Sequence, residues 1–586
     1  MSPSLRRALL GAAVVVPSVA YLAMASRRVL GGDNGELATL AVTGGAAHPP
    51  GYPLVVAYLH AMRWLPSASP AHAAALANAL VGCAAVAMLV RACLSWGASP
   101  AAAAVTVTVA ALAPTTWSLA SQAEVFTLSS LLAATILWLA APEPPLRPPQ
   151  RAVALAFVAG LALANHYTLG ALAPLGLPAV GRALRDSRHR TVVAMAGVVA
   201  LVLGLAPYAR LLAASGLGSD PATWSWGDVH DARTMLSYLR RDEYSDLRLA
   251  SVDHVAAHLI RVILGLLGLP VVAAAALVAR TLARRGQPLD REARARAVTW
   301  AALAASIALA GPLFAAVFDK PLEGPGRAVL ERFDVLPMTL LAPACARALD
   351  VFAARALARP VVAVSAVAAA ATIGVGVGLP GVRARHRPTV ELYVRNALLT
   401  APADAIILGS GDQRLGGFLY VRYALGLRPD VVFVNPRMLF EPWYLERIER
   451  AVGTSLPRPR GRELDVVATI GALVATGRPV LVADLFSPSA IARFPSYPLG
   501  PLIRLVPSPS DVPAPDQVLE ANDALAARFE REPLPPPGPD PWGDALLPDY
   551  ARPWTSLADL YARAGDPARA AVLRARADRA RTGAPP

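Results

Sequence analysis

The sequence predicts a polytopic α-helical membrane protein followed by a small α/β domain and a terminal helical hairpin. Three observations predict it. The 586-residue chain is 55% hydrophobic and only 16% charged, with a mean hydropathy of +0.45, a balance too apolar for a soluble protein. Apolar runs of about 17 to 25 residues, the length that crosses the hydrocarbon as helix, recur between residues 8 and 380. Beyond residue 380 they stop, and short β-rich runs alternate with helical ones.

Taken in order, the apolar runs place spans near 8–26, 72–94, 99–117, 124–140, 152–165, 168–182, 191–213, 256–279, 297–317, 333–353 and 360–380, about eleven in all. The first resembles a signal peptide, with Arg6 and Arg7 before the apolar stretch and "AMAS" after it, and is read as an uncleaved span because so many helices follow. The segment 51–66 is short and carries His60 and Arg63, so it reads as a partly immersed helix. The net charge of +14 would suggest nucleic acid in a soluble chain. Here the arginines gather in short loops such as "RALRDSRHR" (182–190) and "RTLARRGQPLDREARARA" (280–297), the pattern of the positive-inside rule, so no nucleic-acid partner is expected. With Arg6 and Arg7 cytoplasmic, the loops at 142–151, 182–190, 280–296 and 354–359 fall inside. Those at 27–71, 116–123, 214–255 and 318–332 fall outside, with everything after 380. That orientation makes the protein multi-pass in the cytoplasmic membrane, with its C-terminal domain periplasmic or extracellular.

The runs "DAIILGS" (404–410), "DVVFVNP" (430–436) and "PVLVADLF" (479–486) read as buried strands, with helices between them, of a small parallel sheet. Residues 507–550 form a Pro- and Asp-rich connection, and 554–580 a helical hairpin turning at Gly565-Asp566-Pro567, like one tetratricopeptide unit. The expected domains are therefore 1–380, 381–506, 507–550 and 551–586. "GSGDQRLGG" (409–417) follows a strand and opens a helix, but its spacing is not that of a dinucleotide fingerprint and the next strand ends in Asn435. A tight turn explains its glycines. Cys83, Cys93 and Cys345 all lie in or beside apolar runs and read as helix-packing residues, with no disulfide framework and no metal site expected.

The chemistry-bearing residues lie in the loops this topology puts outside. Asp33 and Glu36 follow the first span in "GGDNGE", where partial desolvation makes a carboxylate a better general base. The alternative for Asp33 is a cap on the helix that follows. His48-Pro49-Pro50-Gly51 is stiffened by its prolines. Glu124 opens an apolar run, Asn165 and His166 separate two others, and Glu331, Arg332 and Asp334 stand at the mouth of the tenth. Ionisable groups at membrane depth are costly and usually line a cavity or a substrate path.

"DNGELATLAVTGGAAHPPGYPL", "QAEVFTLSSLL", "GLALANHYTLGALAP" and "ERFDVLP" resemble, in order and spacing, the glycosyltransferase family typified by transmembrane protein 260. "GDQRLGGFLYVRYALGLRPDVVFVN" and "EPWYLERI" are similar to its downstream extension, so that the resemblance covers roughly residues 8–505. It implies a GT-C fold and an outer-face enzyme that takes a sugar, mannose first, from a polyprenyl-phosphate donor and transfers it with inversion to a protein hydroxyl or other acceptor. The essential first-loop acid falls on Asp33, with Glu36 as second candidate. Arg332 is the candidate cation for the leaving phosphate; His48, Glu124, Asn165 and His166 join it as substrate-binding candidates. No cofactor is implied, since the lipid-linked sugar is a substrate. The chain departs from the family at Asp334, where an aromatic is expected, and at "GDQR", where relatives tend to carry a second acid. A transporter of lipid-linked sugars and a non-catalytic membrane anchor are the alternatives. The first needs paired half-repeats, which the sequence does not display, and the second leaves the first-loop acids without a purpose.

Overall fold

The computed structural model describes residues 1–143, 146–218, 220–240, 250–283, 290–461, 463–531 and 539–583. Parts of the expected loops at 142–151, 214–255 and 280–296, and of the 507–550 connection, lie outside the described residues. The chain divides into two compact units. One comprises Met1–Arg27, Ala46–Ala214 and Val229–Arg383; the other joins Arg28–Gly45 and Ser215–Asp228 to Ala384–Pro586.

The first unit is helical and apolar. Among the described residues six helices are long and apolar enough to cross a membrane, including Pro3–Ala23, Pro70–Ser95 and Val335–Leu357, or up to eight if each bent pair forms one span. That is fewer than the eleven expected. Expected spans at 124–140 and 168–182 become the Val125–Ala140 helix of 16 residues and the Ala173–Asp186 helix of 14. At 1.5 Å per residue such helices fall short of a hydrocarbon layer of ~30 Å. The Pro53–Ala61 helix has 9 residues and is shorter still. Pro114 breaks another expected span into Pro100–Leu112 and Pro114–Ala120, bent by 69°, because proline cannot donate to the preceding turn.

Small residues and buried side-chain bonds hold these helices together, as expected where lipid is as apolar as the protein. A Cβ on Gly160 would lie 2.4 Å from the Leu201 carbonyl oxygen, and one on Gly204 2.3 Å from that of Phe157, so the Pro148–Asn165 and Arg190–Leu205 helices touch through glycine. Indole and phenol donors reach carbonyls across the bundle: Tyr21 to Ala111 at 2.7 Å, Trp117 to Ala20 at 3.0 Å, Trp96 to Leu137 at 2.9 Å. The Asn78 amide donates to the Leu119 carbonyl at 2.8 Å and Thr127 Oγ1 at 2.9 Å.

The second unit is built on a five-stranded sheet whose strands lie in the order Val432–Val434 (β2), Ile406–Leu408 (β1), Val480–Val482 (β3), Leu502–Leu505 (β5) and Ser496–Leu499 (β4). β1 (Ile406–Leu408), β2 (Val432–Val434) and β3 (Val480–Val482) are the three strands the sequence suggested. They run parallel, with Ile406 opposite both Val432 and Val480. β4 (Ser496–Leu499) and β5 (Leu502–Leu505) add an antiparallel hairpin, so the sheet is mixed and not purely parallel as expected. Gly500, at φ +56, makes the turn between them. The terminal helices Leu547–Arg563 and Pro567–Arg581 form the hairpin anticipated at Gly565, which adopts φ +85. Trp554, Leu557, Ala558 and Leu573 pack between them, with Val518 of the Pro515–Arg528 helix.

Candidate active site

The seven residues singled out from the sequence fall in different units. His48, Glu124, Asn165, His166 and Arg332 belong to the membrane unit; Asp33 and Glu36 belong to the unit that carries the sheet.

In the membrane unit, four of the five share one continuous cluster. Glu124 N-caps the Val125–Ala140 helix, its Oε1 accepting from Val125 N at 2.8 Å. Its Oε2 lies 3.6 Å from Arg332 Nη1, with Glu124 buried and the Arg332 side chain 12% exposed. The Arg332 guanidinium sits over the Phe126 ring at 5.9 Å. Phe126 contacts His166 at 5.2 Å, and His166 stacks on Tyr52 with ring centroids 5.5 Å apart. The Tyr52 hydroxyl is 3.1 Å from His48 Nε2. His48, Tyr52, His166, Phe126, Arg332 and Glu124 thus form a chain of touching groups drawn from segments that begin after the first span and end before the tenth.

Local backbone fixes the ends of that chain. Tyr52 adopts φ 42, a left-handed conformation that costs an ordinary residue about 1–2 kcal/mol and persists where surroundings over-determine it. His166 ends the Pro148–Asn165 helix and bonds Thr168 through Nδ1 at 2.7 Å. Asn165 plays a different part. Its amide donates to the Val125 carbonyl at 3.1 Å and Ser129 Oγ at 3.0 Å, tying two helices and setting where His166 stands. Beside the cluster opens a cavity of about 310 Å³ lined by Phe126, Ser129, Tyr167, Thr168, Phe314 and Phe333, apolar and aromatic with a few hydroxyls, at the small end of the usual size range of ligand pockets.

Asp334, the departure noted in the sequence, is buried and held by a histidine and an arginine. His258 Nδ1 lies 2.7 Å from one carboxylate oxygen and Arg261 Nε donates to the other at 2.7 Å. The sequence reading did not select His258 or Arg261. Their three-residue spacing on one face of the Val252–Gly265 helix was the available signal. Tyr52, Phe126 and Phe333 were also missed, although Tyr52 sits inside the quoted HPPGYPL stretch.

In the other unit, Asp33 occupies the N-cap position of the Asn34–Thr43 helix, and its side chain makes no capping bond. It is half-buried, whereas Glu36, in the first turn, is buried. Their loop is itself constrained, Leu30 N donating to Asn34 Oδ1 at 2.8 Å. Close by in this unit, Trp542 N donates to Asp540 Oδ1 at 3.3 Å, and burial pushes the Asp540 carboxyl up to about 7. Among the described residues no group of three or more His, Cys, Asp or Glu side chains is placed to hold a metal ion.

Residues 33–184 match the family model described as the protein O-mannosyl-transferase TMEM260 N-terminal domain. The chain is 29% identical over 495 residues to protein O-mannosyl-transferase TMEM260 of Mus musculus, an alignment covering 79% of this chain and 68% of the mouse protein. It is 25% identical over 243 residues to protein O-mannosyl-transferase tmem260 of Dictyostelium discoideum, covering 38% of this chain and 29% of that one. Among solved structures, ArnT from Cupriavidus metallidurans bound to undecaprenyl phosphate superposes with a TM-score of 0.53 at 15% identity, covering 86% of this chain and 99% of ArnT. Its apo state gives 0.55 at 16% identity, with 86% and 98% coverage. The family resemblance read from the sequence is borne out, and the fold is the GT-C fold of ArnT.

Proposed function

We propose that this relative of the protein O-mannosyl-transferase TMEM260 is a membrane glycosyltransferase that moves a sugar, mannose first, from a polyprenyl-phosphate donor to an acceptor hydroxyl of a protein or glycan on the outer face of the cytoplasmic membrane. The observation that carries the reading is the match to the TMEM260 N-terminal domain from residue 33 to 184, a stretch that opens on Asp33 and includes Glu36, His48, Glu124, Asn165 and His166. ArnT, which shares the fold, has been solved with undecaprenyl phosphate bound, and this supports a lipid-phosphate donor.

In this reading the Asp33 carboxylate, or Glu36 as second candidate, takes the proton of the acceptor hydroxyl as its oxygen forms a bond to the anomeric carbon. The bond from that carbon to the phosphate oxygen breaks on the opposite side, and the lipid phosphate leaves with the electron pair. A fixed cation facing the leaving group lowers the barrier because its dipoles and charge need no reorganisation. Arg332 is the candidate, its guanidinium set by Glu124 and the Phe126 face. Tyr52 and His166, stacked and buried, offer a platform for a sugar ring, with His48 at its edge. The reaction is written without a cofactor.

The test is transfer by full-length protein in liposomes supplied with radiolabelled polyprenyl-phospho-mannose, -glucose or -arabinose and secreted acceptor proteins. Protein-bound label from one donor is the expected result. Sugar carried across the bilayer with no donor cleaved would replace this reading with the transporter.

A further inference from the structure

We infer that the sheet-bearing unit is the positioning frame of the acid-bearing loop, with Gly416, Gly35 and Glu391 as its positioning residues. This rests on the reading of Asp33 or Glu36 as the base. Residues Arg28–Gly45 group with Ala384–Pro586 and not with the span that precedes them, and the attachments are specific.

At the start of the segment, Glu391 Oε2 accepts from the Val29 backbone N–H at 3.0 Å, and Oε1 from Arg28 Nη1 at 3.2 Å. Glu391 is buried, so this carboxylate satisfies a buried main-chain donor that would otherwise lose its partner away from water. Next, Gly31 faces Trp542 so closely that a Cβ there would stand 2.1 Å from the tryptophan side chain. In the middle, Gly35 meets Gly416: a Cβ on Gly35 would lie 2.4 Å from the Gly416 carbonyl carbon, and one on Gly416 3.3 Å from Glu36 N. The Asn34–Thr43 and Asp412–Leu419 helices therefore touch backbone to backbone between the two acids. At the far end, Thr43 Oγ1 donates to the Trp224 carbonyl at 3.2 Å.

The supporting helix is itself locked. Arg414 Nη2 donates to Asp549 at 2.5 Å and Ser410 Oγ to Asp484 at 2.5 Å, which anchors the helix to the ends of β1 and β3 and to the terminal hairpin. A general base acts only at hydrogen-bond reach, and a displacement of about 1 Å is enough to cost roughly 100-fold in rate. A loop gripped at its start, middle and end satisfies that demand through contacts with no part in the chemistry.

The experiment uses full-length protein in liposomes and compares Gly416→Val, Glu391→Ala, Glu391→Gln, Asp33→Asn and Glu36→Gln with wild type. It reads kcat, donor KM and backbone hydrogen exchange. Gly416→Val is expected to lower kcat about 100-fold with donor KM within about twofold. Amides of residues 29–43 should exchange faster while those of Val466–Ala475, in the same unit, stay unchanged. Glu391→Gln, which keeps an acceptor for Val29 N, should recover most of the rate that Glu391→Ala loses. Unchanged kcat and unchanged exchange at 29–43 in Gly416→Val would overturn the inference. So would a rate loss with exchange raised across the whole unit, which marks a merely structural glycine. Wild-type transfer by Asp33→Asn, with Glu36→Gln equally active, would instead remove the base assignment, and the exchange data would still decide whether the frame holds the loop.

Discussion

Replacing Asp549 by alanine should destabilise the sheet-bearing unit more than any surface change in it. Asp549 is buried and accepts from Arg414 Nη2 at 2.5 Å and from the Tyr393 hydroxyl at 2.9 Å, with Arg552 on its other oxygen. Arg414 and Tyr393 are buried too. Truncation leaves a guanidinium without its principal partner, the second carboxylate, Asp484, being 3.6 Å from Nη1. Breaking a buried pair from one side costs about 3–5 kcal/mol, because the remaining charge has no water to return to. A unit of this size loses ~2–4 °C of Tm per kcal/mol, so the midpoint should fall by roughly 6–20 °C. Asp549→Asn, which keeps an acceptor, should lose about half as much. Thermal unfolding of detergent-solubilised protein, followed by near-ultraviolet circular dichroism, measures the shift. A fall under about 3 °C for Asp549→Ala would refute the argument, showing Arg414 satisfied without Asp549.

Further predictions follow from the same geometry. Burial holds the Asp540 carboxyl at about 7 in the fold against 3.8 for a solvated aspartate. The folded state thus binds this proton more tightly than the unfolded chain, and the associated stability is full below about pH 4 and lost as pH rises through about 7. The opening free energy read from hydrogen exchange at Leu392 and Tyr393, corrected for the intrinsic exchange rate at each pH, should therefore be larger at pH 5 than at pH 8, and Asp540→Asn should flatten that difference. Gly160→Val and Gly204→Val each drive a side chain into a facing backbone oxygen and should abolish a monodisperse peak in size-exclusion chromatography. Gly197→Ala, whose nearest neighbour is at 4.0 Å, should leave that peak unchanged. Tyr52→Phe removes the hydroxyl contact with His48 but keeps the ring over His166. Its transfer rate should stay within about tenfold of wild type while Tyr52→Ala falls further, about 100-fold.

The sequence revealed the parts whose cause is local. Apolar length and arginine placement disclosed the helical unit, and β-rich runs between helices disclosed β1, β2 and β3. Gly565-Asp566 marked the hairpin turn because a left-handed glycine and an N-cap aspartate, accepting from Arg569 N at 2.9 Å, are chosen by the turn itself. What stayed hidden depends on distant partners. The glycines of "GSGDQRLGG" read as a turn, and Gly411 at φ +89 does make one. Gly416 has another reason, the approach of Gly35, which lies far back in the chain. β4 and β5 escaped because Pro498, Gly500 and Pro501 interrupt the pattern a strand would show. His258 was overlooked for the same reason as Arg261: each is explained by Asp334, which reads as a family departure until the side chains around it are seen. The aromatic platform is likewise a tertiary product, since Tyr52, Phe126 and His166 come from three separate segments.

The central claim is that the first-loop carboxylate activates an acceptor for attack on a lipid-linked sugar. Its most direct test is single-turnover transfer by Asp33→Asn and wild type, both saturated with the productive polyprenyl-phospho-sugar donor, with Glu36→Gln alongside. Asp33→Asn is expected to retain donor binding and the wild-type melting profile while the transfer step slows by about 100-fold or more. An Asp33→Asn protein that transfers at the wild-type rate, with Glu36→Gln equally active, would contradict it.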